Sequence, residues 1–265
     1  MPTIAHLESR ALIAVQGEDW RPFLHNLLTQ DVETLQAGEI RFAALLTPQG
    51  KLLFDLFIIG AADRCLIDCA ADRRASLLQR LSMYRLRAKV HLELNPGAVL
   101  AAWEGKPDGG GWLADPRLAA LGWRAYDITP PSGAQGEAAY HAHRLGLGVP
   151  DPDGDCPPDK TYPIEANFDL LGGIDFKKGC FVGQETTSRM KRRGQIKNRM
   201  APVAFAGPPP AFGAEVLAGD LRAGEVLTGQ DGRAMALLRL DRIAGACLTI
   251  DARPAQAALP AWWPA

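Results

Sequence analysis

No run of apolar residues approaches the ~18 that a membrane-spanning helix requires, so no transmembrane helix is expected. Residues 1–15 carry no basic stretch followed by a long apolar one, and a signal peptide is not expected either. Cysteine is scarce: five residues, at positions 65, 69, 156, 180 and 247, with no CxxC pair. An odd, scattered set argues against a disulfide framework and a structural zinc site, so no metal is expected, and a reducing, cytoplasmic setting is. An excess of one charge is also missing. With a net charge of -1 the chain is not a polycation, and any nucleic-acid contact must rest on a local patch. A P-loop, a GxGxxG turn and a Ser-His-Asp arrangement cannot be read from it.

What is present is an ordinary globular composition. The 265 residues are 47% hydrophobic and 22% charged, enough to bury a large core in about two domains. Trp20, Phe23, Leu24, Leu27 and Leu28 repeat at helical spacing and predict a helix over 18–30, with Pro22 tolerated in its first turn and His25 on its polar flank. Two apolar runs, 40–46 and 52–59, flank the turn Thr47-Pro48-Gln49-Gly50 and predict a hairpin. A strand over 65–69, a helix over 72–84 and strands over 90–94 and 99–103 follow. The order β-β-α-β-β favours α+β layers over a parallel doubly wound sheet. A short helix over 137–145, stopped by Gly146, follows the Pro/Gly-rich stretch 129–136. Beyond another such stretch, 207–213, only short strands are read, so a small all-β module is expected from about residue 198.

Residues 175–199 stand apart. Cys180 lies between Gly179 and Gly183, ahead of a segment of helical potential in which Glu185 and Arg189 are four apart. A thiol in a loop before a helix N-terminus, beside Lys177 and Lys178, is biased toward thiolate; the alternative is a small buried hydrophobe in a glycine turn. Lys177, Lys178, Arg189, Lys191, Arg192, Arg193, Lys197 and Arg199 make a basic segment suited to phosphate, a polyglutamate tail or RNA, or else a solvated surface stretch. Cys65, Cys69 and Cys247 read as core, and Cys156 as exposed and incidental. His141 and His143, two apart on a helix, face different sides. Trp262-Trp263 either packs back on the last module or marks a contact.

The octet Lys178-Gly179-Cys180-Phe181-Val182-Gly183-Gln184-Glu185 resembles the K-G-C-[FY]-x-G-Q-E signature of the YgfZ proteins, relatives of the glycine-cleavage T-protein that act in iron–sulfur cluster assembly or repair. Residues 17–32, Gln49-Gly50-Lys51 with Asp55, residues 84–90, Gly194 and Arg199 extend the likeness to this YgfZ/GcvT folate-binding family. The resemblance implies an α+β fold of two T-protein-like units and a C-terminal small β-barrel around a central folate site. The units would be 1–40 with 123–197, then 41–122, then the barrel 198–265. It implies tetrahydrofolate, or a one-carbon derivative, as cofactor. Glu165, in the P-x-E-like context Pro163-Ile164-Glu165, would accept both N–H donors of the pterin edge. Asp55, Lys178, Gln184, Glu185 and Arg189 would join it at the folate, and Cys180 would be the functional cysteine.

Three functions compete. The leading one is a monomeric accessory protein, with iron–sulfur enzymes or assembly proteins as partners and without turnover of its own. The second is a tetrahydrofolate-dependent aminomethyltransferase. The T-proteins commonly place an Asp-Asp pair where this chain has Phe54-Asp55, and they lack the Lys-Gly-Cys element; both departures favour the accessory branch. The third is a tRNA-binding or modification factor using the basic segment 177–199.

Overall fold

In the computed structural model, which describes residues 1–194 and 196–264, two unforeseen strands open the chain. These are β1 (Thr3–His6) and β2 (Arg10–Gln16), followed by α1 (Trp20–Leu27). The α1 stripe of Trp20, Phe23, Leu24 and Leu27 is buried as its spacing requires. The helix is shorter than 18–30, because Leu28 is already extended and bridges Leu45. His25 is not on a polar flank: it is buried, with Nδ1 3.0 Å from the Asp31 carboxylate.

The hairpin forms as expected from β3 (Ile40–Leu46) and β4 (Leu52–Gly60). Then come β5 (Arg64–Ala70), α2 (Arg74–Arg85), β6 (His91–Asn95) and β7 (Val99–Trp103). An antiparallel sheet of order β3-β4-β5-β2-β6 results. Its faces follow the two-residue period of a strand. Ile13, Val15, Phe54, Leu56, Cys65, Ile67 and Cys69 face the core beneath α1 and α2. Burial pushes the Cys69 thiol up to about 12 and the Cys65 thiol higher still, so both are inert packing.

The opposite face, with Leu12, Phe42, Phe57 and Leu66, packs in a second core with Ala101 and Trp103. These two belong to a four-stranded sheet of order β1-β7-β9-β8, completed by β8 (Leu113–Ala114) and β9 (Trp123–Tyr126). The expected units 1–40 with 123–197 and 41–122 cut across these sheets. One sheet draws on residues 10–95 and the other on 3–6 and 99–126, because β2 inserts between β5 and β6 while β1 pairs with β7.

Three helices lead to the barrel: α3 (Glu137–Gly146), α4 (Pro152–Asp155) and α5 (Gln184–Arg193). The stop of α3 is at Gly148 rather than Gly146, since the Gly148 and Val149 N–H groups bond back to the Leu145 and Arg144 carbonyls. Cys156 is buried, not exposed: it follows α4, whose Asp155 carboxylate is anchored by the barrel's Thr228 N–H at 3.0 Å. The closed barrel runs β10-β13-β12-β11-β14-β15. Its strands are β10 (Asn198–Phe205), β11 (Glu215–Ala218), β12 (Leu221–Gln230), β13 (Arg233–Arg239), β14 (Leu248–Ile250) and β15 (Arg253–Ala257), with a short helix α6 (Leu240–Ile243) after β13. Cys247 lies exposed just before β14, outside the barrel core. Trp262 packs back, its Nε1–H donating to the Leu147 carbonyl at 2.8 Å.

Candidate functional site

The loop carrying Cys180 is anchored on both sides of the exposed pair Gly179-Cys180. The Thr29 hydroxyl donates to the Gly173 carbonyl at 2.6 Å, and the Thr29 carbonyl accepts the Asp175 N–H at 2.9 Å. The Asp175 carboxylate then accepts the Lys177 and Lys178 N–H groups, at 2.7 and 3.3 Å. The Lys178 ammonium donates to the Leu28 carbonyl at 2.6 Å and to that of His25, closing the free C-terminal end of α1. Burial pushes this ammonium down to about 8. Lys178, expected at the folate, therefore holds the loop on α1. Phe181 is buried in the inter-sheet core and Val182 packs against the core under the helices, while Cys180 beside them is exposed.

Gly183 joins this loop to α5. Its φ is +82°, and a Cβ there would lie 2.6 Å from the Thr47 carbonyl oxygen and 2.9 Å from Gly50 Cα. A Cβ on Gly50 would in turn lie 2.9 Å from Thr186 Cβ. The hairpin turn and the start of α5 thus meet backbone to backbone, and only glycine permits that approach. Cys180 sits, as expected, in a loop just ahead of a helix N-terminus. Gln184 donates to the Gly179 carbonyl at 3.4 Å, and Glu185 faces Arg189 across 4.0 Å at the surface.

At the other end of α5 lies a cavity of about 700 Å³, lined by Tyr162, Glu165, Met190, Arg193, Ile196, Lys197 and Asn198. The Glu165 carboxylate accepts the Tyr162 N–H at 3.0 Å and the Asn198 side-chain amide at 3.3 Å. A carboxylate has about four acceptor sites, so it retains capacity for two donors of a ligand. The Tyr162 ring is held under the Lys51 ammonium, 3.3 Å from its centroid, and that ammonium also donates to the Lys160 carbonyl at 2.6 Å. One acceptor pair, an aromatic wall and the cations Arg193 and Lys197 suit a flat, donor-bearing ring with an anionic tail.

Of the expected folate residues, only Glu165 lines this cavity. Lys178 and Cys180 belong to the loop, Gln184 and Glu185 to the first turn of α5, and Arg189 to its middle, in a helix that spans about 14 Å. Asp55 is buried elsewhere, its carboxylate 2.9 Å from the Arg10 guanidinium. Arg10 also bonds Asp68 at 2.6 Å, Arg124 bonds Asp68 at 2.7 Å, and Arg117 bonds Asp115 at 2.8 Å, forming a polar seam between the two sheets. The basic segment is smaller than its sequence suggests. Arg199 is buried and forms a two-pronged pair with Asp169, both contacts at 2.9 Å, and Lys191 lies 3.3 Å from the same carboxylate. Lys177, Arg189, Arg192, Arg193 and Lys197 remain exposed.

Sequence reasoning missed Tyr162, Met190, Arg193 and Asn198 as cavity residues. The three-residue spacing of Met190 and Arg193 on a helix was the available signal. It also missed Arg10, Asp68 and Arg124, each a charge set in an otherwise apolar strand.

Residues 197–265 match the family described as the CAF17 C-terminal beta-barrel domain. The chain is 33% identical to the human mitochondrial iron–sulfur cluster assembly factor IBA57 over 97% of its own length and 84% of that protein. It is 34% identical to the mouse factor over 99% and 86% of the two chains. In three dimensions it superposes on the glycine cleavage system aminomethyltransferase T of Bartonella henselae with a TM-score of 0.78, covering 97% of this chain and 85% of that one at 18% identity. The likeness to the aminomethyltransferase is one of fold, as expected for two α+β layers and a barrel. The mitochondrial names of the relatives overturn the expectation of a cytoplasmic setting. Free thiols report a reducing milieu, not which reducing compartment holds the protein.

Proposed function

Because the chain belongs to the family of the iron–sulfur cluster assembly factor IBA57, which lies with YgfZ in one folate-binding family, we propose that it is an accessory factor for assembly or repair of iron–sulfur clusters in enzymes. In this reading tetrahydrofolate, when bound, supplies a carrier for one-carbon units, held with its pterin edge on Glu165. Cys180 is the contact to the cluster-bearing partner. The observation that carries the reading is the display of Cys180: an exposed thiol on a loop held by Lys178 before it and Phe181 after it. Iron–sulfur clusters are held by thiolates, and a fixed, accessible cysteine suits transient contact with such cargo.

The donor set of the Glu165 cavity fits the folate. The carboxylate has acceptor capacity left, Tyr162 offers a ring face, and Arg193 and Lys197 lie where an anionic tail would leave. The aminomethyltransferase reading is weakened by Asp55, which is tied to Arg10 and lies outside that cavity.

Cys180→Ala is expected to fold normally and to fail in restoring iron–sulfur enzyme activity to cells lacking the protein; full restoration would reduce Cys180 to a surface residue. Glu165→Ala is expected to weaken tetrahydrofolate binding by about tenfold to a hundredfold, the range for hydrogen bonds to a charged group. Equal affinity in a calorimetric titration would remove Glu165 from the pterin.

A further inference from the structure

Helix α5 has an outward face that the Glu165 cavity does not use. Thr187 is buried and Met190 packs toward the inter-sheet core, which fixes the inner side of the helix. Glu185, Arg189 and Arg192, at i, i+4 and i+7, therefore fall on the outer side, over a length of about 10 Å. Arg192 is exposed and has no acidic partner among the described residues. Arg189 meets only Glu185, at 4.0 Å, and that carboxylate is 92% exposed. Pairs of this kind contribute little, so both arginines are available to a partner. Lys191 is not part of this face: it pairs with Asp169 at 3.3 Å. Cys180 lies beside the start of the face, because the Gln184 side-chain amide donates to the Gly179 carbonyl at 3.4 Å. Lys177, three residues before the cysteine, is exposed as well.

The acids around the loop are mostly engaged by the protein. Asp175 accepts the loop N–H groups, and Asp31 accepts the Thr34 hydroxyl and pairs with Arg41 at 3.2 Å; Glu33 stays exposed. The hairpin tip Pro48-Gln49-Gly50, which touches the start of α5, adds no charge. The exposed thiol is thus bordered along α5 by cations. A thiolate-ligated iron–sulfur cluster is an anion, and so is the thiolate that meets it. Cations beside the thiol offset that repulsion and steer a carrier whose cluster is rimmed by carboxylates. Nucleic acid fits this face less well. Neither aromatic residue of 175–199 offers a stacking platform: Phe181 is buried, and Phe176 lies under the Lys191 ammonium, 5.5 Å from its ring centroid.

We propose that the outer face of α5, together with Lys177, is the docking surface for a protein partner that carries its cluster behind an acidic rim. The inference rests on the reading of Cys180 as the contact to that partner. Charge on Arg189, Arg192 and Lys177 brings the partner into register, and the cysteine meets the cargo.

The test has a chemical and a cellular arm. Cys65, Cys69 and Cys156 are buried, so in a Cys247→Ser background Cys180 is the thiol that reagents reach. Its rate with dithiobis-nitrobenzoate, a dianion, is expected to be about threefold or more higher at low salt than at high salt. Arg189→Gln with Arg192→Gln removes most of that dependence and leaves the rate with neutral dithiodipyridine unchanged. A salt-independent rate in the otherwise wild-type protein overturns the basic surface. In cells lacking the protein, Arg189→Glu with Arg192→Glu is expected to fail in restoring iron–sulfur enzyme activity, while Arg189→Lys with Arg192→Lys restores it; thermal unfolding checks that the reversed variant keeps its fold. Full restoration by the reversed variant, with Cys180→Ala still failing, overturns the docking surface and leaves the reading of Cys180 standing. Full restoration by both overturns the two together. Titration with bulk tRNA separates the other anionic macromolecule: binding that falls steeply with salt and is lost in the reversed variant makes this an RNA face and overturns the acidic protein partner.

Discussion

Gly183→Ala is expected to lower stability by about 3 kcal/mol or more, read as a shift in the urea midpoint, and to loosen the Cys180 loop toward proteolysis. Two effects add. The left-handed φ of +82° strains any residue with a Cβ, and that Cβ would sit 2.6 Å from a backbone carbonyl oxygen that cannot move without the hairpin turn. Gly179 is the control four residues earlier. Among the described residues nothing lies within 4 Å of a Cβ there, so Gly179→Ala is expected to change stability by less than about 0.5 kcal/mol. If Gly183→Ala proves as mild as Gly179→Ala, the contact between hairpin and α5 is not what holds the cysteine.

Asp68→Ala is expected to cost about 3–5 kcal/mol, the penalty for removing one partner of a buried ion pair. Asp68 is fully buried and accepts from Arg10 at 2.6 Å and Arg124 at 2.7 Å, so its loss leaves two buried guanidinium groups with only Asp55, 2.9 Å from Arg10, and Asp115, 3.7 Å from Arg124. Equilibrium unfolding in urea measures the effect; a cost below about 1 kcal/mol would mean that water reaches the seam. Acid acts on the same seam. Burial alone would push the Asp115 carboxyl up, yet Arg117 and Arg124 hold it below its ordinary value of 3.8. Its contribution to stability is therefore present above that value and fades as pH falls through the lower folded one.

The fold was legible where a face carries one chemistry. The stripe of α1, the hairpin, the cysteine-bearing strand β5 and the barrel from residue 198 all follow from apolar periodicity and turn residues. Strands β1 and β2 were not, because short strands shared between two sheets show no long alternating run. At the site, the octet marked a loop that displays Cys180, while most of its other residues contact the protein itself. Lys178 reads as a ligand-binding cation and serves as a cap on α1, because a lysine's partners depend on which carbonyls the fold leaves free beside it. Asp55 looked like a site acid because it stands in an apolar strand. Its partner Arg10 lies 45 positions away, and no local pattern announces a pair of that separation. Glu165 was singled out through its resemblance context; that it lines a cavity with Met190 and Arg193 of α5 and Asn198 of β10 appears only in three dimensions.

The two sheets share the chain's first sixteen residues, and this has a consequence for how the protein folds. Thr3 pairs with Trp103, and Gln16 pairs with Arg64 and His91. Neither sheet can be completed until the amino-terminal strands have found partners roughly 50 to 100 residues downstream. Such non-local pairings must meet the entropy of loop closure before any contact rewards it, which makes them slow. The hairpin and α2 rest on local contacts and are expected to form first, with β1 and β2 closing as a clasp on both layers late; φ-values near zero for substitutions in β1 and β2 check this order. The polar seam sits under that clasp, since Arg10 is carried by β2, so on this order Asp55 and Asp68 gain their partner only in the late step.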